Sequence, residues 1–582
     1  MGARRPGRRH QGLHLALPYA SVVPAHAALS HLDRAFTYRV PDGMTVEVGS
    51  WVRVPFRRRN RDGIVVELLD EADVPRALDI ADVLGPGLGS DLVELCRWVS
   101  DRYLSTLGEA LAAATPDRVV DEERALARGG RAPRKPAVQS LGFLRRYRNG
   151  PAVERSLTGD RYHGFSWRPG ADRAGEIAAL AATTAAQGRG VLVLMPEVRF
   201  GGETADALHH LGETVAWVGS DRPARERYRA WLALRTGRAW IAAGGRAAVY
   251  APVQNLGLVI VDDESHVSYK ERRAPRINAR AVAVERARRA GATLLMVGVP
   301  PSIEAGAAVE QRTMTAVAMA RNDALETRPP VTVVDRTRDD SGLVPHAETL
   351  RIAAEELRAG NRVVLLTHRG GEESRRIAQR AFRILKPATP ARLDARTSVE
   401  DLTKAIELAD CIVATPVIAK DVDIDRVGLF AIMEADAALA VPEFRGAEEA
   451  FSTWWRAAPW ARRIAIETAQ PDHPAIRALV RWDPDALYRW EAGRRRETGY
   501  PPFAGLARID VPPDHAPEVA EELRKVGGLT VLGPAEREGK AVVVVRAKTR
   551  NALLERLRGP ADRWRADGEP VRVDVDPREV LP

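Results

Sequence analysis

Cysteine and long apolar runs are both scarce in this chain, and each shortage excludes a class of protein. Cysteine occurs only at Cys96 and Cys411, so at most one disulfide is available and no cysteine cluster has the spacing of a zinc site. No segment reaches the roughly 18 uninterrupted apolar residues of a membrane span. The sequence therefore predicts a cytoplasmic protein with no metal site, no structural zinc and no membrane contact.

Lysine is also scarce, because nearly all of the 87 basic side chains are arginine. This preference is typical of GC-rich codon usage rather than of a particular ligand. The formal net charge of +9 is small for 582 residues and is spread along the chain. By itself the charge gives only weak support for a nucleic-acid partner.

The length predicts three to five domains of ordinary size. Short β-branched runs separated by turn signals, such as Trp51–Phe56, predict a small N-terminal β-barrel or sandwich. Continuous apolar runs then alternate with amphipathic helices, which predicts two α/β lobes in tandem, and the last strands and helices predict a small α+β domain. The fold class is thus multidomain α/β. The predicted boundaries are 1–17 for a basic tail, 18–115 for the β-rich domain, 116–172 for a linker or reduced winged-helix region, 173–330 and 331–499 for the two lobes, and 500–582 for the C-terminal domain.

A phosphate-binding loop is missing from these lobes. Tandem lobes often bind a nucleoside triphosphate on a glycine-rich loop whose lysine reaches the phosphates, yet the single Gly-Lys pair lies at residues 539–540. An acidic cluster, Asp262, Asp263 and Glu264, does follow an apolar run, where carboxylates of NTPases commonly hold Mg²⁺. Without a phosphate loop, the simpler interpretation is that these carboxylates cap the following turn.

A series of motifs in a fixed order resembles the PriA family of bacterial primosomal replication-restart helicases, also called primosomal protein N′. The resemblance spans nearly the whole chain and implies two RecA-like helicase lobes behind a domain that captures 3′ DNA ends. The motifs are Phe36–Tyr38, Val52–Phe56, Leu107–Glu109, Val191–Glu197, Leu256–Lys270, Ala414–Asp423, Asp436–Glu448, Gln470–Ile476, Gly499–Phe503 and Asp574–Pro577.

Several departures from the family pattern imply a loss of ATP-driven unwinding. The phosphate loop is replaced by Phe165–Arg173, and the arginine-finger segment is replaced by Arg456–Arg463. The family's zinc-binding insertion is missing between Thr367 and Cys411. An arginine finger alone contributes a factor of about 10³ to 10⁵ to NTP hydrolysis.

The resemblance therefore predicts no catalytic residues. Asp262, Asp263 and Glu264 become a vestigial acidic box, in which Asp263 replaces the family's catalytic-type glutamate. No cofactor is expected: ATP and Mg²⁺ enter only under the alternative hypothesis, and zinc is not expected at all.

The N-terminal domain is where the resemblance predicts DNA binding. Aromatic side chains that stack on an unpaired base, with arginines on the backbone phosphates, are the physical requirements of such a site. An equally simple interpretation of each aromatic is that it belongs to the hydrophobic core. The predicted DNA-binding residues, which lie around Pro55, are Phe36, Thr37, Tyr38, Arg53, Phe56, Arg57, Arg58, Arg59 and Arg61.

The leading hypothesis is a replication restart protein that binds stalled or branched forks, or junctions of single-stranded and duplex DNA. It would recruit other primosome proteins and single-strand-binding protein, without helicase activity of its own. The alternative is an active ATP-dependent 3′–5′ DNA helicase in which Arg168 or Arg173 replaces the lysine. A third hypothesis is an oligomeric scaffold with no specific DNA role.

Overall fold

A computed structural model describes residues 17–24, 34–57, 59–129, 135–196, 202–220, 222–326, 328–339, 341–416, 424 and 427–581. The predicted basic tail therefore lies almost entirely outside the described residues. Within them, the strands form four sheets, two of which are parallel apart from one short edge strand. This arrangement confirms the predicted multidomain α/β class.

The N-terminal domain is built on an open six-stranded sheet with the order β5-β2-β1-β4-β3-β6. Its strands are β1 (Tyr19–Pro24), β2 (Phe36–Arg39), β3 (Trp51–Phe56), β4 (Arg59–Leu69), β5 (Leu78–Asp79) and β6 (Asp82–Leu84). Three helices follow: α1 (Ser90–Tyr103), α2 (Leu107–Ala114) and α3 (Val120–Ala127). This confirms the predicted small β-rich domain. The sheet stays open, because the edge strands β5 and β6 are only two and three residues long and do not pair with each other.

The first lobe has an eight-stranded sheet with the order β10-β11-β9-β12-β13-β8-β14-β7. Its strands are β7 (Tyr147–Arg148), β8 (His163–Arg168), β9 (Gly190–Leu194), β10 (Val215–Trp217), β11 (Ile241–Gly244), β12 (Leu256–Val261), β13 (Thr293–Val297) and β14 (Thr315–Met319). Its helices are α4 (Gly150–Ser156), α5 (Arg173–Ala186), α6 (Glu203–His209), α7 (Ala224–Arg235), α8 (Ala279–Ala290), α9 (Ile303–Glu310) and α10 (Arg321–Glu326). Strands β9 and β12 are buried along their whole length, which explains their continuous apolar sequences.

The first lobe begins earlier than the predicted boundary at residue 173. Strand β8 pairs in parallel with both β13 and β14 in the middle of this sheet, and β7 forms its edge. Both strands lie in the segment 116–172, which was predicted to be a linker or a reduced winged helix. The sequence of β8, with Phe165 and Trp167 separated by a serine, lacks the continuous apolar run that identified the other central strands.

The second lobe has a six-stranded parallel sheet with the order β15-β20-β19-β16-β18-β17. Its strands are β15 (Val331–Asp335), β16 (Arg362–Leu366), β17 (Pro390–Leu393), β18 (Cys411–Ala414), β19 (Val427–Ile432) and β20 (Ala461–Thr468). Its helices are α11 (Ala347–Arg358), α12 (Gly371–Ile384), α13 (Val399–Leu408), α14 (Ala435–Leu439), α15 (Gly446–Ala457), α16 (Pro474–Val480) and α17 (Pro484–Thr498).

The C-terminal domain is an antiparallel four-stranded sheet, β22-β23-β21-β24, covered by two helices. Its strands are β21 (Gly505–Val511), β22 (Thr530–Arg537), β23 (Lys540–Ala547) and β24 (Arg572–Val575), and its helices are α18 (Ala516–Arg524) and α19 (Arg550–Ala566). This is the predicted α+β arrangement.

The segment 574–581, which we call the strap, ties this domain to both lobes. Asp574 pairs with Lys270 of the first lobe at 2.6 Å, and Arg578 pairs with Glu449 of the second lobe at 2.8 Å. The backbone N–H groups of residues 580 and 581 donate to the Glu443 carboxylate of the second lobe at 2.9 and 3.0 Å. The strap therefore fixes the position of three domains relative to one another.

Among the described residues, no helix combines the length and the apolar character that crossing a bilayer would require.

Candidate nucleotide cleft and DNA-binding surface

The loop that follows β8 and leads into α5 lies where a phosphate loop would be expected in a parallel α/β lobe. Here Asp172 occupies the N-cap of α5, and its carboxylate accepts a hydrogen bond from the N–H of Gly175 at 3.1 Å. The N–H of Gly170 donates to the Tyr147 hydroxyl at 2.7 Å. Amide groups that would meet an anionic ligand are therefore engaged by the protein, and a carboxylate already lies at the positive end of the helix.

The two arginines considered as substitutes for the phosphate-loop lysine contact carboxylates. Both terminal nitrogens of Arg168 donate to Asp485, which lies at the start of α17 in the second lobe. Arg173, the first residue of α5, lies with its Nε 3.5 Å from Oδ1 of Asp262. Arg168 thus connects the lobes, and Arg173 faces the acidic box.

The acidic box follows β12, as predicted, and all three of its carboxylates are buried. Asp262 accepts a hydrogen bond from Thr204 at 2.7 Å, and burial raises the pKa of Asp262. Glu264 accepts hydrogen bonds from the N–H of Ser302 at 2.6 Å and from Arg280 at 2.7 Å, and burial likewise raises the pKa of Glu264. These two carboxylates are therefore held by neighbours within the first lobe.

Asp263 is held by the second lobe. Arg456, near the end of α15, donates from Nε and Nη2 to the two carboxylate oxygens at 2.5 and 2.9 Å, and its Nη2 also reaches the Ser265 hydroxyl at 2.7 Å. The two charged side chains are only 10% and 8% exposed. Burial would raise the pKa of Asp263, but the attraction of Arg456 prevails and lowers it. We call this pair the latch.

Beside the latch, a chain of alternating buried and partly buried charges runs along the contact between the lobes. Arg280 and Glu304 belong to the first lobe, and Arg445, Glu448 and Arg495 belong to the second. Glu304 contacts Arg280 at 3.3 Å and Arg445 at 2.5 Å, while Glu448 contacts Arg445 and Arg495 at 2.9 Å each. Glu448 also accepts a hydrogen bond across the cleft from the N–H of residue 303 at 3.1 Å. The arginines beside it outweigh burial and lower the pKa of Glu448 to about 2, so the chain is fully charged at neutral pH.

Sequence reasoning assigned no role to these residues. Arg445 and Glu448 appeared only within a family motif, and Arg456 appeared only as the first residue of a replaced segment. The contacts that join the two lobes pair residues more than 100 positions apart, such as the 141 positions between Glu304 and Arg445 and the 193 between Asp263 and Arg456. The available signal was the presence of Glu448, Glu449 and Arg456 on the largely buried helix α15.

The predicted DNA-binding residues fall on two opposite faces of the N-terminal sheet, because side chains alternate along a strand. The register places Phe36 opposite Val22, and Arg59 opposite Phe56. Tyr38, Arg59 and Arg61 share this face with Phe36 and Phe56, whereas Thr37 and Arg53 lie on the other face. On that other face Arg53 pairs with Asp62 at 3.1 Å, and Thr37 donates to Asp73 at 2.5 Å.

An aromatic pair marks the first of these faces. The rings of Phe36 and Phe56 meet edge to face, with their centroids 5.1 Å apart, and both are half-buried. The guanidinium groups of Arg34 and Arg57 lie 5.5 and 5.6 Å from the two ring centroids. Tyr38 is only 5% exposed and donates its hydroxyl to the carbonyl of residue 55, so it belongs to the core. Arg58 lies outside the described residues.

No group of three or more histidine, cysteine, aspartate or glutamate side chains within the described residues has the arrangement of a metal site. Both cysteines are buried and unpaired with each other, and burial raises the pKa of the Cys411 thiol to about 12. Neither thiol is therefore a nucleophile or ligand at neutral pH.

Comparisons with known proteins agree with the resemblance seen in the sequence. Residues 22–116 match the family model of the PriA 3′ DNA-binding domain. The probable replication restart protein PriA of Mycobacterium bovis is 28% identical, and the alignment covers 83% of this chain and 86% of that protein. The replication restart protein PriA of Treponema pallidum is 24% identical over 94% of this chain and 98% of that protein. Among solved structures, RecG bound to a three-way DNA junction aligns with a TM-score of 0.39 and 13% identity over 69% of this chain and 52% of that one. The chain is thus similar along most of its length to replication restart proteins of the PriA type, and its residues 22–116 match the model of their 3′ DNA-binding domain.

Proposed function

We propose that this protein acts in replication restart by binding branched DNA through its N-terminal domain, without unwinding DNA at the expense of ATP. The observation that carries the second part is the latch, in which an arginine of the second lobe occupies both oxygens of Asp263. In a working motor of this architecture the carboxylates of the acidic box would hold Mg²⁺ and orient a water.

The residues of the cleft do not fit a magnesium–triphosphate group. The loop before α5 contains no lysine and presents the Asp172 carboxylate, which would repel phosphate. Closure of the lobes through Arg456 also leaves Asp263 neutralised. We therefore propose that the protein needs neither ATP with Mg²⁺ nor zinc.

The DNA partner in this proposal is a fork, or a junction of single-stranded and duplex DNA, with a nascent 3′ end. The half-buried pair Phe36 and Phe56 offers ring surface to an unpaired base, and Arg34, Arg57 and Arg59 lie close enough to meet its phosphates. Primosome proteins and single-strand-binding protein are the protein partners that the family resemblance suggests.

A fork-binding assay tests the DNA part of the proposal. We expect the full-length protein to bind a fork with a nascent 3′ end at its junction more tightly than the same fork without the nascent strand, and more tightly than blunt duplex. The double variant Phe36→Ala, Phe56→Ala should lose this preference, whereas the control Phe382→Ala, which removes a half-buried ring from the second lobe, should keep it. Equal affinity of the unaltered protein for all three DNAs contradicts the proposal.

Two further measurements separate the competing hypotheses. ATP hydrolysis that is stimulated by DNA and abolished in an Asp262→Asn, Asp263→Asn variant would establish the helicase alternative, for which Arg173 beside Asp262 is the structural argument. Unchanged fork binding after Arg57→Glu and Arg59→Glu would favour the scaffold with no specific DNA role.

A further inference from the structure

A cavity of about 500 Å³ opens at the end of β8 that lies farthest from the cleft. It lies between the end of α4, the start of β8 and the turn that joins α9 to β14. At roughly 3.3 Å per residue, the six residues of β8 separate it from the loop before α5 by about 17 Å. Its volume lies within the range of small-ligand sites, and the cavity belongs neither to the cleft nor to the N-terminal sheet.

The charge of this cavity is positive. Arg155, Arg312 and His163 line it and are exposed, and the lining residues that the structure describes include no aspartate or glutamate. Neither arginine pairs with a carboxylate in the described part of the chain, in contrast to the arginines of the cleft. Among carboxylates close in sequence to the lining residues, Asp160 contacts Arg189 at 3.5 Å and Glu310 contacts Arg496, while Glu154 is exposed. An anion entering the cavity would meet two uncompensated guanidinium groups.

An aromatic ring forms the wall beside these charges. Tyr162 is half-buried, and a Cβ atom built on Gly164 would lie 2.7 Å from its hydroxyl oxygen, so the position of this ring requires glycine at residue 164. The guanidinium of Arg288 lies 5.7 Å from the ring centroid. Burial raises the pKa of Tyr162 further above its ordinary value, and its hydroxyl is a hydrogen-bond donor at neutral pH.

Arg312, which lines the cavity, has an unusual backbone conformation. This residue follows α9 and has a φ of 57°, a left-handed conformation in which glycine is usual. Its N–H donates to the carbonyl of residue 309 at 3.0 Å, which is how a helix end normally terminates. An arginine at such a position is strained, and this conformation ends α9 with the Arg312 side chain at the edge of the cavity.

We propose that this cavity binds a nucleotide unit, with its phosphate between Arg155 and Arg312 and its base against Tyr162. Either a single DNA strand or a free mononucleotide has this chemistry. If the ligand is a DNA strand, the inference rests on the proposed DNA-binding function and adds a second contact in the first lobe.

Photocrosslinking of the full-length protein to oligothymidylate containing 5-iodouracil tests the site directly. We expect a crosslinked peptide that contains Tyr162, and loss of that peptide in the variant Tyr162→Ala. Competition by millimolar thymidine monophosphate assigns the cavity to free nucleotides, and lack of competition assigns it to the strand. Absence of any crosslink at this peptide overturns the proposal.

The proposed phosphate contact is tested by the salt dependence of single-stranded DNA binding in the double variant Arg155→Glu, Arg312→Glu. Each phosphate contact to a single strand contributes about 0.7 to the slope of log affinity against log salt concentration, so loss of the one phosphate contact should lower the slope by about 0.7. The control Arg358→Glu, Arg383→Glu makes the same charge change at exposed positions of the second lobe and should leave the slope higher than in the test variant. Equal slopes in the two variants overturn the proposal.

The same variants distinguish this proposal from the proposed function. The Arg155 and Arg312 variant should retain the preference for a nascent 3′ end, and the Phe36 and Phe56 variant should retain the Tyr162 crosslink. A protein that lacks the 3′-end preference but gives the crosslink therefore contradicts the proposed function alone.

Discussion

At the scale of single residues, the chemistry available in the cleft depends on which of its carboxylates are paired with protein groups. Asp263 has a backbone φ of 42° and is turned towards the second lobe, where Arg456 meets both of its oxygens. A buried ion pair is costly to break by removing one partner, because the other charge remains buried without compensation. The latch therefore makes a specific prediction about stability.

We expect Arg456→Ala to lower the free energy of unfolding by about 3 to 5 kcal/mol, the usual cost of an uncompensated buried charge. Urea unfolding at pH 7 measures this loss. The double variant Arg456→Met, Asp263→Leu removes both charges and should recover most of it. Equal losses in the single and double variants would show that the pair itself does not hold the lobes together.

The sequence predicted the acidic box but not the latch, for a physical reason. Asp262, Asp263 and Glu264 follow an apolar run that had to be a buried strand, so their location could be inferred locally. The pairing of Asp263 with Arg456 depends on how two lobes dock, and no local pattern encodes that. The assignment of Tyr38 to the core rather than to DNA also depends on a non-local contact, the pairing of β2 with β1.

At the scale of elements, a carboxyl group whose ionised form is destabilised by burial lies where β20 meets the start of α11. Glu467, the second-last residue of β20, accepts a hydrogen bond from the N–H of His346 at the start of α11 at 2.8 Å. It also contacts Arg336 at 3.2 Å. Burial outweighs these favourable contacts and raises the pKa of Glu467 to about 7.

This pKa predicts a pH dependence of stability. The raised value means that the folded protein keeps Glu467 protonated while the unfolded chain ionises it, so stability falls as pH rises from about 4.5 to about 7. A shift of this size corresponds to about 3 kcal/mol. We expect Glu467→Gln to be more stable than the unaltered protein at pH 8 and equal to it at pH 4, as measured by urea unfolding. A constant difference between the two proteins at all pH values would contradict the assignment.

Among the parallel strands of the first lobe, those with continuous apolar sequences were predicted correctly, whereas the mixed strand β8 was not. Strands β9 and β12 are five and six residues of apolar sequence buried on both faces. Strand β8 is also central, but its residues include a histidine, a glycine, a serine and an arginine, so its sequence did not differ from the surrounding linker composition. The pairing of β8 with β13 and β14 supplies what its own composition lacks.

At the scale of the whole molecule, the strap and the charged chain between the lobes fix one arrangement of the domains. Two backbone N–H groups of the strap donate to Glu443, a carboxylate of the second lobe. Hydrogen bonds to a charged group contribute about 1.5 to 3 kcal/mol each, so this carboxylate is important for holding the C-terminal domain in place.

We expect Glu443→Ala to accelerate amide hydrogen exchange at Val580 and Leu581 by about tenfold or more, since 1.4 kcal/mol corresponds to a factor of ten. The control Glu536→Ala removes an exposed carboxylate from the edge strand β22 and should leave those amides unchanged. Unchanged exchange in Glu443→Ala would mean that other contacts hold the strap.

The latch has a thermodynamic consequence under the proposed function. A protein that consumes no fuel obeys detailed balance, so its residence on DNA is set by its dissociation rate and its occupancy by concentration alone. It cannot be driven off a fork by its own cycle. Hand-over to the next protein must then come from a competitor whose binding supplies the free energy for displacement.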